Sequence, residues 1–198
     1  MRKVVFFSVL LCLTILMVTS YACGNKVEKS GNETFDVSEK IDSIKKESLK
    51  SVFSDGENNG WNYVEEKDEM TDGISKFATI VSENSEELDF PYGNVFTKIA
   101  VRKTKRYGTD VMIMVSSGQI FGNDYNNDNY IMVRFDENQP IKYYFAETSD
   151  GSSEVVFVKK VNDFIQRAKK ANAIKVEIPF FNDGRRIFCF STVEKLKW

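Results

Sequence analysis

The sequence contains no histidine, three prolines and three cysteines in 198 residues. The missing imidazole removes the commonest general base, the serine–histidine and cysteine–histidine nucleophile schemes, and nearly all zinc sites. Cys12 and Cys23 lie near the start of the chain and Cys189 near its end, so no disulfide framework is expected. Cys189 sits in an apolar run with nothing beside it in sequence to activate it, and reads as a packed or sheet-face thiol. Neither sign of charge dominates, with 27 basic residues against 29 acidic. That leaves no electrostatic case for nucleic acid.

What is present begins with Arg2 and Lys3, an apolar run from Val4 to Val18, and Thr19-Ser20-Tyr21-Ala22 ahead of Cys23. A basic start, an apolar middle and small residues at the end make a secretory signal. The run is shorter than the roughly 20 apolar residues of a membrane span. Cys23 after a small residue resembles the lipobox of bacterial lipoproteins. That resemblance implies cleavage before Cys23, a diacylglycerol on its sulfur, and residence in the cell envelope, held to the outer membrane. Ser20-Tyr21-Ala22 also suits an ordinary signal peptidase, with free secretion as the alternative.

A mature chain starting at Cys23 has 176 residues, 25 basic and 29 acidic. That is the length of one domain and a tether. Residues 24–60 are polar and poor in aromatics, as a tether would be. Val37, Ile41, Ile44 and Val52 mark a thin helical stripe there, read as a linker helix. The expected division is therefore 1–22 signal, 23–60 lipid-bearing cysteine and tether, and 61–198 folded domain.

From Trp61 onward the chain reads as short strands separated by turns: 61–67, 75–82, 95–105, 111–117, 131–136, 141–147 and 154–158. Residues 85–93 read as a loop. Val111 to Val115 is apolar on both faces, which marks a central strand. Val161, Phe164, Ile165, Ala168 and Ala171 keep a helix period. Asn162 is the expected N-cap, Asp163 a first-turn acid, and Asn172 the left-handed closing residue. Ile174, Val176, Ile178 and Phe180 alternate toward one face. A turn at Asn182-Asp183-Gly184 should return the chain as a hairpin. A two-residue loop would turn Ile187 and Cys189 inward. A three-residue loop would turn Phe188 and Phe190 inward, opposite Ile178 and Val176, and separates apolar from polar better. The expected fold is mostly β: an antiparallel β-sandwich-like domain with one short packed α-helix before a C-terminal hairpin.

The order of motifs resembles the VasI/TagO-type proteins associated with type VI secretion and related uncharacterised envelope proteins. The pieces are Trp61 with Met70-Thr-Asp-Gly73, the pair Ile99–Arg102 and Asp110–Val115, and Val133-Arg-Phe-Asp136. They continue with Ser149-Asp-Gly, Phe164-Ile165 with Ala168 and Ala171, Val176–Phe180, Gly184, and Phe188-Cys-Phe190 leading to Leu196. The resemblance covers about the last two-thirds of the chain. It implies the sandwich fold and an envelope setting, while fold alone does not fix activity.

Few residues suggest chemistry. Asp72, Asp136 and Asp150 are acidic turn residues, the only material for a two-carboxylate hydrolase, and Asp is ordinary in turns. Asp124, Asn126 and Asp128 match the first positions of an EF-hand loop. However, Asn129 replaces its glycine and Phe135 its bidentate acid, so that motif is rejected. Arg102, Lys103, Lys105 and Arg106 form a basic stretch at a strand end, read as a solvated edge or an anionic lipid or glycan patch. Arg134 and Asp136 share a strand face and are placed to pair. Tyr92, Tyr107, Tyr125 and Tyr130 sit in or beside loops, where aromatic faces suit sugars. The expectation is a non-enzymatic envelope protein without metal or cofactor. Its partners would be the membrane, through the lipid, and another envelope protein, with glycan binding as the alternative and a carboxylate hydrolase behind it.

Overall fold

The computed structural model describes residues 60–67, 69–70, 72–122 and 129–198. The signal, Cys23, the tether, Tyr125 and the Asp124–Asp128 run lie outside these residues. Eleven strands are described: β1 (Asn62–Lys67), β2 (Ile74–Val81), β3 (Glu86–Leu88), β4 (Gly93–Val95), β5 (Thr97–Thr104), β6 (Gly108–Val115), β7 (Tyr130–Phe135), β8 (Ile141–Glu147), β9 (Val155–Val158), β10 (Ala173–Phe180) and β11 (Gly184–Ser191). One helix, α1 (Val161–Ala168), stands between β9 and β10.

Nine strands form a single antiparallel sheet in the order β1-β2-β5-β6-β9-β8-β7-β10-β11, and β3 pairs with β4 as a small hairpin. The sheet is long enough to fold over and bury one face against itself. Ile99, Val101, Val111 and Ile113 from one half share a core with Val133, Phe135, Ile174, Val176 and Phe188 from the other. This is the sandwich logic, with alternate residues of each strand pointing inward. β6, apolar on both faces, lies fourth in the order, between β5 and β9.

Two crossings close the body. After β6 the chain runs on past β9, where Ile120 N donates to Ser153 O at 2.8 Å, and reaches β10, where Phe121 N donates to Pro179 O at 3.0 Å. After β2, Glu83 N donates to Cys189 O at 2.8 Å. Asn84 then bonds the same strand twice: Nδ2 to Ile187 O at 2.8 Å, and Cys189 N to its Oδ1 at 2.7 Å. Asn84 thus covers the outer edge of β11, which would otherwise offer unpaired backbone groups.

α1 packs through Phe164, Ile165 and Ala168. The Phe164 ring meets Phe135 and Tyr143 edge-on, at 5.4 and 5.5 Å between centroids. The helix begins at Lys160 without a side-chain cap, so Asn162 does not take that role. Asp163 faces Tyr143 and Arg167 instead. The helix stops at Ala168, one turn before Ala171, and Asn172 is not left-handed. Asp136 holds the residues that follow. Its own φ is +51°, and its Oδ1 accepts from Asn172 N at 2.8 Å and Ala173 N at 3.0 Å. An acceptor from another loop orders the helix exit and the start of β10.

The C-terminal hairpin buries Phe188 and Phe190 and leaves Ile187 49% exposed. The three-residue loop is correct, but it spans Phe181 to Asp183. Phe188 therefore faces Val176 and Phe190 faces Ile174, two residues along from the expected partners. Gly184 has φ +70° and pairs with Phe180 at the mouth of the turn, where a side chain would be strained. Pairing of β10 with β7 ends at Glu177, two residues before Pro179, so the proline interrupts no ladder on that side.

Candidate functional site

Three loops meet at one end of the sandwich. The β3–β4 turn carries Phe90, and Asp89 N in it donates to Asp183 Oδ1 of the β10–β11 turn at 2.9 Å. That second turn carries Phe181, whose N donates to Gln119 O at 3.0 Å. The crossing segment carries Phe121, whose ring meets Phe181 edge-on at 5.4 Å. Phe90 is 97% exposed, Phe121 45% and Phe181 46%. Beneath them Gly118, at φ +102°, lets Leu88 and Phe180 pack onto bare backbone; a Cβ there would lie 2.8 Å from Leu88. The loops are therefore fixed by hydrogen bonds and a tight floor while their aromatic rings face outward. The sequence does not single out these phenylalanines: Phe90 falls within the 85–93 loop, and Phe121 and Phe181 carry no signal of their own. Nothing in period or spacing marks an outward-facing ring at a turn.

The three candidate tyrosines among the described residues, Tyr92, Tyr107 and Tyr130, lie in separate places. Tyr92 is half-buried and packs against the core. Tyr130 is half-buried on the outer face of β7, under the Lys142 ammonium at 4.1 Å and the Arg185 guanidinium at 4.5 Å. Its ring meets Tyr144 of β8 edge-on at 6.3 Å. Arg185 is held there by Glu177 and by the Tyr130 carbonyl, to which it donates at 3.1 Å. Of the three candidates among the described residues, Tyr107 is the exposed one, 59%, at the β5–β6 turn. Among the described residues no ring contact joins Tyr92, Tyr107 and Tyr130 to one another.

Around Tyr107, Arg102, Lys105 and Arg106 line a cleft of about 490 Å³ with Gly73, Ser75, Phe77 and Thr104, while Lys103 lines a different one. Arg102 and Arg106 place their guanidiniums 5.5 and 5.0 Å from the Tyr107 ring centre. Asp110 fixes Arg102 with bonds to Nη2 at 2.7 Å and Nε at 3.3 Å. Thr104 Oγ1 accepts from Tyr107 N at 2.9 Å and sets the turn.

The acidic turn residues are separate. Asp72 pairs with Lys67 at 2.7 Å in open solvent. Asp136 serves the backbone of 172 and 173. Asp150 accepts from Ser152 N at 3.1 Å, and its carboxyl is held below the usual range by the Thr148 hydroxyl and that backbone bond. Arg134 pairs with Glu137 at 2.5 Å and not with Asp136. Among the described residues no group of three or more Cys, Asp and Glu side chains is arranged to hold a metal, and no helix is long and apolar enough to cross a membrane. Cys189 is a free thiol of intermediate exposure.

Comparison with protein-family models, with curated proteins and with solved structures finds no match for this chain.

Proposed function

We propose that this chain is a lipid-anchored cell-envelope protein, without enzymatic activity, whose β-sandwich docks another envelope protein at the Phe90–Phe121–Phe181 end. The observation that carries the reading is the rigid mounting of three exposed phenylalanines on three loops bonded to one another. Exposed aromatic rings cost solubility and gain most when a partner covers them. Their supports already fix the loops, so little ordering cost remains on docking. The signal and Cys23 supply the anchor in this reading, and the resemblance of the motif order to envelope proteins supports a partner there, a type VI secretion assembly included.

A pull-down of the native, membrane-held protein tests the docking. A partner should co-purify with the wild type and be lost from a Phe90→Ser/Phe181→Ser variant that still folds. Retention of every partner by that variant defeats the reading. For the anchor, growth on labelled palmitate should label the wild type and not Cys23→Ala. A second reading, a glycan-binding module, is favoured by the Tyr107 cleft.

A further inference from the structure

We propose that the cleft at the β5–β6 turn binds an acidic sugar, a pyranose carrying a carboxylate, with Tyr107 as its platform and Arg106 as its anion clamp. The inference rests on the glycan reading of this cleft and is independent of the protein-docking end.

Four features converge. Tyr107 is an exposed residue in a cleft of about 490 Å³, the size of a site for one or two sugar units. A flat aromatic face takes the apolar C–H face of a pyranose. The guanidiniums of Arg106 and Arg102 lie over the Tyr107 ring, 5.0 and 5.5 Å from its centre, and put two cations against a sugar seated on the exposed part of that ring; a planar guanidinium matches a carboxylate through two parallel N–H bonds. Arg102 already gives its N–H groups to Asp110, so it holds the geometry and closes one side. Arg106, stacked on Tyr107, is the clamp for an incoming anion. Ser75 and Thr104 add hydroxyls on the cleft wall, and Lys105 adds a second positive charge at the rim. Asp110 is the acidic counterweight at the cleft. Counted with Arg102, Lys105 and Arg106, it leaves a net positive site on an otherwise mildly acidic protein.

A neutral sugar would use the tyrosine and waste the cations. A bare anion would use the cations and waste the tyrosine. An acidic pyranose uses both, which is why we choose it.

The test is titration of the full chain, by calorimetry and by amide shifts, with three probes: oligogalacturonate, a neutral malto-oligosaccharide and inorganic phosphate. Oligogalacturonate should bind and shift the amides of 102–110, while the other two bind at least about tenfold more weakly. Tyr107→Ala and Arg106→Gln should each weaken it by about tenfold, the range expected for losing a ring or a cation–aromatic clamp at an exposed site. Both residues lie on an exposed turn, so the variants should keep the wild-type amide spectrum elsewhere. Equal binding of the malto-oligosaccharide overturns the acidic class while keeping the glycan reading. Equal binding of phosphate, or indifference to Tyr107→Ala, leaves only a patch of charge and overturns the proposal. No binding of any probe at millimolar concentration overturns both it and the glycan reading.

Discussion

Tyr143 is fully buried, yet its hydroxyl donates to Asp163 Oδ2 at 2.5 Å, and Arg167 holds the same carboxylate at 3.0 Å. Burial, then the bond to Asp163, pushes the phenol well above its usual value. The Tyr143 bond, then Arg167, holds the Asp163 carboxyl below the usual range. A raised phenol contributes stability that is complete below the unfolded value of about 10 and is lost as pH rises beyond it. A depressed carboxyl contributes stability that is complete above about pH 4 and is lost as pH falls through the folded value. Tyr143→Phe should therefore cost about 1–3 kcal/mol at neutral pH and flatten both limbs. Urea midpoints near pH 3, 7 and 11 measure this; unchanged limbs in the variant would contradict it. Asp136 makes a separate prediction. Asp136→Ala removes the acceptor for two backbone N–H groups and places alanine at φ +51°, a loss of about 1–3 kcal/mol. Asp136→Asn keeps an acceptor and tolerates the left-handed backbone, so its loss should be clearly smaller in the same assay. The sequence marked Asp136 as a turn residue but gave no sign of its bond to residues 172 and 173, which lie far along the chain.

The hairpin of β10 and β11 shows what an element can reveal before its structure is known. Alternation places Phe188 and Phe190 inside because a one-residue slip would bury Arg185, Ile187 and Cys189 instead. Phe188→Ala should cost about 3–5 kcal/mol, as for a fully buried aromatic, while Ile187→Ala, on the outer face, should stay within about 1 kcal/mol. Equal losses would mean that the faces are exchanged. The partners were displaced by two residues because both registers bury the same face, and only the turn geometry at Phe181–Asp183 separates them. The helix end was misjudged for a related reason: capping signals are local, and here the acceptor arrived from another loop. The hairpin of β3 and β4 escaped notice because strands of three residues give no period to read. The link Glu83-Asn84 escaped for the same reason, although it covers the last edge. Asn84→Ala should cost about 1–3 kcal/mol and raise association of the protein with itself, since it bares Cys189 N and Ile187 O. Light scattering on heating should report that rise.

At the scale of the whole molecule, the strand segments and the sandwich class could be read from turns and alternation, while the strand order could not. The order depends on β9 entering between β8 and β6, and on β10 returning beside β7; such long-range choices leave no trace in local pattern. The same limit explains the site. Loop tyrosines looked like one platform, but the fold sends Tyr92 to the core, Tyr130 under two cations and Tyr107 to a basic cleft. It brings Phe121 against Phe181 and ties the turn that carries Phe90 to the turn that carries Phe181 instead. The proposed role of this aromatic end is to be covered by a protein in the envelope. The most direct measurement is in-cell photo-cross-linking from benzoylphenylalanine placed at position 90, with position 66 on β1 as the control. A discrete adduct is expected from position 90, absent from 66 and lost when Phe181 is changed to Ser. No adduct from position 90, or equal adducts from both positions, would contradict it.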